Sequence, residues 1–63
     1  MPLPDRLKTA RLRAGLTQRQ LAAKMQFHVM SISQFERGVR SPSLATVARL
    51  ATALHTTPSA LVR

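Results

Sequence analysis

Five stretches of apolar residues at helical spacing, separated by short turn signals, constrain the fold of this 63-residue chain more than any other feature. The clearest stretch is the fourth, where the apolar residues recur at intervals of three or four. These residues are Leu44, Val47, Leu50, Ala51 and Leu54. Short helices can bury such stripes only against one another. The sequence therefore predicts a compact all-α cluster of five helices.

The bounds of these helices follow from their caps and stops. Pro4 suits a first helical turn and Gly15 a stop, which places helix 1 at about 4–14. Thr17 and Gln20 have the spacing of a capping box, so helix 2 spans about 18–25. Helix 3 spans about 29–36 and is closed by Gly38, helix 4 follows the N-cap Ser43, and helix 5 follows the N-cap Thr57. Helices 2 and 3, joined by about three residues, form a helix-turn-helix.

The charge balance indicates a polyanionic partner. Ten Lys and Arg residues face two acids, Asp5 and Glu36, which gives a formal net charge of +8. Basic patches of this strength attract nucleic acid, although solubility alone is the alternative explanation. The absence of Tyr and Trp disfavours RNA recognition, which usually relies on stacking. The composition therefore predicts a polyanionic partner without identifying it.

Catalysis and cofactor binding are not expected. The chain has no cysteine, only two acids, and two histidines, His28 and His55, that are far apart in the sequence. This leaves no nucleophile–base set, no metal cluster and no cofactor site. No apolar run approaches the ~20 residues that span a bilayer, and no signal-peptide core is present, so we expect a cytoplasmic protein without membrane contact. We expect residues 1–63 to form one domain, which could be the amino-terminal part of a longer regulator.

Helix 3 has an unusual second face. Stepping about 100° per residue separates two sides of the helix. One side carries Ser31, Ile32 and Phe35, as a core-facing side would. The other side mixes apolar, polar and basic groups: Val29, Met30, Ser33, Gln34 and Arg37. Such a mixture suits neither a core nor an ordinary solvated surface.

Five fragments in order carry a family resemblance. They are R-x-x-A-G-L-T-Q at 11–18, L-A at 21–22, I-S-x-x-E-x-G at 32–38, P-S-L at 42–44 and L-A-x-A-L at 50–54. Together they resemble the Cro/C1-type, or XRE, helix-turn-helix family of phage-repressor-like regulators. The resemblance implies a lambda-repressor-like fold with helix 3 in the major groove. It also implies a homodimer that binds a near-palindromic operator and regulates transcription, with repression the leading expectation.

Two positions depart from the family pattern. Gln26 replaces the usual glycine of the turn, and a left-handed backbone there would cost about 1 kcal/mol. His28 replaces the usual Ser or Thr at the N-cap of helix 3, which costs about 1 kcal/mol as well. We expect the fold to survive both departures.

The resemblance also assigns roles to residues. Base reading falls to Val29, Met30, Ser33 and Gln34, where Gln34 suits adenine and the two apolar side chains suit thymine methyl groups. Phosphate and backbone contacts are predicted for Gln18, Arg19, His28, Arg37, Arg40, Ser41 and Ser43. Arg11 and Glu36 occupy the positions of a structural ion pair between helices 1 and 3. The alternatives are that Val29 or Met30 packs on protein, and that Ser43 only caps helix 4.

Two other functions stay open. One is an antitoxin-like autorepressor that binds a protein partner through a second surface. The other is a protein-interaction module that uses the Val29–Met30 face, with the charge incidental. The predicted dimer surface comprises the end of helix 5 and the loop near Val39 and Ser41.

Overall fold

The computed structural model describes residues 2–62, and these residues form five α-helices. The helices are α1 (Leu3–Arg13), α2 (Gln18–Met25), α3 (Val29–Arg37), α4 (Leu44–Ala53) and α5 (Pro58–Val62). The predicted all-α fold is confirmed, with small shifts in its bounds. Helix α1 begins and ends one residue earlier than predicted, and α3 ends one residue later.

Side-chain caps define three of the helix starts. The Thr17 hydroxyl accepts a hydrogen bond from the backbone N–H of Gln20 at 3.1 Å. The Gln20 side chain accepts one from the backbone N–H of Thr17 at 2.8 Å, which completes the predicted capping box. Ser43 and Thr57 begin α4 and α5 similarly, because each hydroxyl accepts a backbone N–H from three residues further along. The local sequence therefore determines where these helices begin.

The core is almost wholly aliphatic. Its buried side chains are Leu7, Leu21, Ala22, Met25, Ile32, Phe35, Val47, Leu50, Ala51, Leu54 and Leu61. One predicted member is wrong, since Leu44 is 85% exposed. Leu44 is the first residue of α4. Its spacing fits the helical stripe, but no neighbouring part of residues 2–62 covers it.

The arrangement of the helices leaves one side of α3 uncovered. Helix α3 packs mainly on α1 and α2, whereas α5 packs on α1 and α4. Ile32 and Phe35 of α3 face the core and hold this helix in place. No helix in residues 2–62 has the length and apolar character needed to cross a bilayer. Within the same residues, no cluster of three or more His, Asp or Glu side chains could hold a metal ion.

The turn between α2 and α3 contains a left-handed residue that is not glycine. Gln26 has φ 56° and ψ 37°, and its backbone N–H bonds back to the carbonyls of Ala22 and Ala23. The chain uses glycine for the same conformation at Gly15 and Gly38, where φ is +74° and +73°. A side chain in this region is strained, because Cβ approaches the following carbonyl.

We expect Gln26→Gly to raise the free energy of unfolding by about 0.5–1 kcal/mol. The relief of strain at the left-handed position should exceed the entropy that a glycine adds to the unfolded chain. Urea denaturation followed by circular dichroism measures the change. The matched control is Gln26→Ala, which keeps Cβ and should give no gain. A glycine variant no more stable than the alanine variant would contradict the prediction.

Candidate nucleic-acid interface

The uncovered side of α3 presents a short row of side chains to solvent. Met30 is 58% exposed, Arg37 is exposed, and Ser33 and Gln34 are partly exposed. Spacings of three and four residues place all four on neighbouring turns of one helix face. The structure therefore brings together the predicted readers Met30, Ser33 and Gln34 and the predicted phosphate contact Arg37.

Val29 stands apart from this row. It is partly buried and packs against the hydrophobic core. Its apolar character is therefore explained in part by packing within the chain, in line with one of the alternatives. Met30 is 58% exposed and is not among the side chains that pack on the core, so it is available for contact with a partner.

Two arginines are held near the carboxyl end of α3. The Nε of Arg37 donates to the Ser33 hydroxyl oxygen at 3.2 Å, one helical turn away. The Arg40 guanidinium lies over the Phe35 ring, 5.5 Å from its centroid. Stacking and hydrogen bonding reduce the freedom of these long side chains, so less entropy would be lost when they bind an anion.

A buried ion pair anchors α3 to α1. The Nε of Arg11 lies 2.6 Å from Oε2 of Glu36, and its Nη2 donates to Oε1 at 3.1 Å. Nη1 of the same guanidinium donates to the carbonyl of Leu16 at 2.8 Å. The two charged side chains are only 9% and 4% exposed. The bidentate geometry is the strong form of this interaction and fixes the orientation of both helices.

Gln18 joins the same network. Its Nε2 donates to Oε1 of Glu36 at 3.2 Å, which ties the start of α2 to α3. Gln18 is the first residue of α2, where backbone N–H groups lack helical partners. The amide nitrogen carries two hydrogens, so Gln18 can bind Glu36 and a phosphate at once. The hydrogen bond with Glu36 was not predicted from the sequence.

The comparisons with known proteins agree with this geometry. The HTH_3 helix-turn-helix family matches residues 7–61 of the chain. The chain belongs to the helix-turn-helix family of the Cro/C1 type. It is thus a sequence-specific DNA-binding domain of the transcriptional-regulator class.

Among the proteins that are similar to this helix-turn-helix domain are a curated regulator and a controller protein of known structure. The HTH-type transcriptional regulator ImmR of Bacillus subtilis (strain 168) is 40% identical over 50 residues, which are 79% of this chain and 39% of that protein. The chain thus spans about two fifths of the length of this relative. The restriction-modification controller protein C.AhdI from Aeromonas hydrophila superposes with a TM-score of 0.88 at 36% identity. That match covers 94% of this chain and 89% of the controller protein.

The other predicted phosphate contacts of this helix-turn-helix domain differ in their surroundings. Arg19, His28 and Ser41 are exposed. His28 is the N-cap of α3, and its side chain makes no capping hydrogen bond. Ser43 accepts from the backbone N–H of Thr46 and so caps α4, as the structural alternative held. Their contacts with phosphate stay predictions.

One contact that supports the turn of the helix-turn-helix was not predicted from the sequence. Nη2 of Arg49, on α4, donates to the carbonyl of Met25 at 2.7 Å. The same guanidinium lies over the Phe27 ring, 5.1 Å from its centroid. A cation at the carboxyl end of α2 stabilises the helix dipole. Because the partners are 24 residues apart, no local pattern could have revealed the contact.

Proposed function

We propose that this helix-turn-helix domain represses transcription by binding a near-palindromic operator as a homodimer, with α3 in the major groove. The exposed row of Met30, Ser33, Gln34 and Arg37 carries the proposal, since no other helix of residues 2–62 covers it. An α-helix fits the major groove, where base edges differ most between base pairs. The proposal includes no catalytic role.

Under this proposal, four side chains contact the bases and recognise the DNA sequence of the operator. Gln34 can form two hydrogen bonds with adenine, and the Ser33 hydroxyl can still donate its proton while it accepts from Arg37. Met30 packs on a thymine methyl group. Val29 contributes only its exposed part at the edge of the groove, because the rest packs on the core.

Affinity comes mainly from phosphates. The predicted contacts surround α3: Gln18 and Arg19 begin α2, His28 begins α3, and the others follow its carboxyl end. These last contacts are Arg37, Arg40, Ser41 and Ser43. The Arg11–Glu36 pair contributes indirectly, because it fixes α3 relative to α1. The hydrogen bond from Gln18 to Glu36 fixes α3 relative to the start of α2.

Exposed apolar side chains support the homodimer. Val39 is 67% exposed, Leu44 is 85% exposed and Val62 is 52% exposed, and all three lie in or beside the predicted dimer surface. A symmetric dimer would place the two copies of α3 about 34 Å apart in successive major grooves. We further propose that this regulator is cytoplasmic.

Selection from a random pool of duplex DNA tests the proposal. We expect the wild-type chain to enrich a near-palindromic site. Gln34→Ala should relax the preference at one position of each half-site, at a cost of about 1–3 kcal/mol for the preferred base. Arg19→Ala should weaken all sites alike and lower the slope of log affinity against log salt by about 0.9 for each phosphate that the variant no longer neutralises.

The salt dependence also separates the rival functions. If the selection enriches no duplex, or if the affinity for DNA barely depends on salt, the proposal is wrong and a protein-interaction module is favoured. An antitoxin-like autorepressor would bind DNA in the same way and would in addition retain a partner protein on its second surface. If Gln34→Ala, like Arg19→Ala, weakened binding to all sites by the same factor, α3 would not be the element that reads the bases.

A further inference from the structure

Two basic side chains join the carboxyl ends of α2 and α4. Nζ of Lys24, on α2, donates to the carbonyl of Ala53, the last residue of α4, at 3.1 Å. In the opposite direction, Nη2 of Arg49 donates from α4 to the carbonyl of Met25, the last residue of α2, at 2.7 Å. Each helix therefore supplies a cation to the carboxyl end of the other, where a positive charge is favourable.

The two cations differ in what else they contact. The Arg49 guanidinium also lies over the Phe27 ring, 5.1 Å from its centroid. Phe27 belongs to the turn that joins α2 to α3, and it packs against the hydrophobic core. Within residues 2–62, Lys24 makes no hydrogen bond or ring contact with this turn. Of the two cations, only Arg49 connects α4 with the turn of the helix-turn-helix.

The local sequence does little to hold this turn and the start of α3. Gln26 adopts the left-handed conformation with φ 56°, where a side chain is strained. His28, the N-cap of α3, makes no capping hydrogen bond with its side chain. The contacts of Arg49 with Met25 and Phe27 lie on either side of Gln26 in the sequence. A distant side chain thus supports the segment that local interactions leave weak.

Different contacts fix the other end of α3. Glu36, close to the carboxyl end of this helix, forms the buried ion pair with Arg11. Loss of the Arg49 guanidinium would leave that pair intact, so the start of α3 should shift more than its end. Met30 lies in the first turn of α3, whereas Gln34 lies about one turn further along, towards Glu36.

We propose that Arg49 is a positioning residue for sequence recognition, a role that rests on the proposed placement of α3 in the major groove. It holds the first turn of α3 in the orientation in which Met30 meets its base pair. Arg49 acts through the turn, since its guanidinium contacts Met25 and Phe27. Its loss should therefore relax the preference at the base pair read by Met30 and keep the preference at the base pair read by Gln34.

Selection of the full chain on random duplex DNA tests this role. Met30→Ala and Gln34→Ala first identify the base pair that each side chain reads. Arg49→Met keeps an unbranched apolar stem and removes the guanidinium. We expect it to lower the preference at the Met30 base pair by about fivefold, the value of one methyl contact, and to change the preference at the Gln34 base pair by less than about twofold.

Matched variants separate positioning from charge and stability. Lys24→Met removes the same charge and the other bond between α2 and α4, and it should leave both preferences unchanged. Arg49→Lys keeps a cation that can donate to the Met25 carbonyl, so it should restore part of the lost preference. Phe27→Leu removes the ring beneath the guanidinium and should relax the same base pair, so the test does not depend on one variant. A ratio of affinities for two sites does not depend on the folded fraction, so lower stability alone cannot produce this pattern.

Three outcomes would overturn the role of Arg49. The first is that Arg49→Met keeps the wild-type preference at the Met30 base pair. The second is that Arg49→Met and Lys24→Met change the preferences alike, which would show an effect of charge or of general contact between α2 and α4. The third is that the wild-type chain enriches no duplex, in which case the proposed function fails as well. The wild-type selection therefore distinguishes failure of the proposed function from failure of the positioning role alone.

Discussion

Replacing Glu36 with alanine should lower the free energy of unfolding by about 3–5 kcal/mol, because it leaves the buried Arg11 guanidinium without its carboxylate. The guanidinium makes two of its three hydrogen bonds with Glu36. A domain of this size has a free energy of unfolding of only about 5 kcal/mol, so the variant should retain little of it. Urea denaturation followed by circular dichroism measures the loss.

Asp5 provides the matched control for this prediction. It is the only other acid of the chain, and it lies exposed in the first turn of α1. Asp5→Ala should change the free energy of unfolding by no more than about 0.5 kcal/mol. Similar losses in the two alanine variants would show that net charge, and not the buried pair, determines the effect.

A double replacement separates stability from DNA binding. Arg11→Met with Glu36→Leu removes both charges together, so no buried charge is left without a partner, and much of the stability should return. The hydrogen bond from Gln18 to Glu36 disappears as well. Because these bonds orient α3, we expect the folded double variant to bind the selected operator more weakly than the wild-type chain.

Local chemistry explains why the helices could be predicted from the sequence. The Thr17–Gln20 capping box and the glycine stop at Gly15 depend on residues within a few positions of each other. The burial of Leu44 could not be predicted in this way, because its position in the stripe does not indicate whether a neighbouring helix covers it. Burial at the end of a helix depends on the tertiary arrangement, which the local pattern does not contain.

In the functional site, too, sequence patterns predicted some features, whereas other contacts are visible only in the folded chain. Helical periodicity correctly separated the core residues Ile32 and Phe35 from the exposed Met30. The resemblance to the family supplied the pairing of Arg11 with Glu36. Neither source indicated the bond from Gln18 to Glu36 or the bond from Arg49 to Met25. Periodicity could not indicate them, because their partners are 18 and 24 residues apart and meet only in the folded chain.

The two faces of α3 should respond in opposite ways to the same kind of truncation. Ile32 is fully buried, so Ile32→Ala should lower the free energy of unfolding by about 2–5 kcal/mol through reduced burial and a new cavity. Met30 is 58% exposed, so Met30→Ala should change that free energy by no more than about 0.5 kcal/mol. Urea denaturation of both variants measures these changes.

DNA binding should show the reverse order. Met30→Ala removes the apolar contact with a thymine methyl group and should cost about 1 kcal/mol of binding free energy at the selected operator. Ile32→Ala should bind normally once its affinity is corrected for the unfolded fraction, because residue 32 faces the core. Titration of labelled operator measures both affinities. If Met30→Ala destabilised the fold and left operator affinity unchanged, this side of α3 would be a packing surface, and the proposed placement of α3 in the major groove would be wrong.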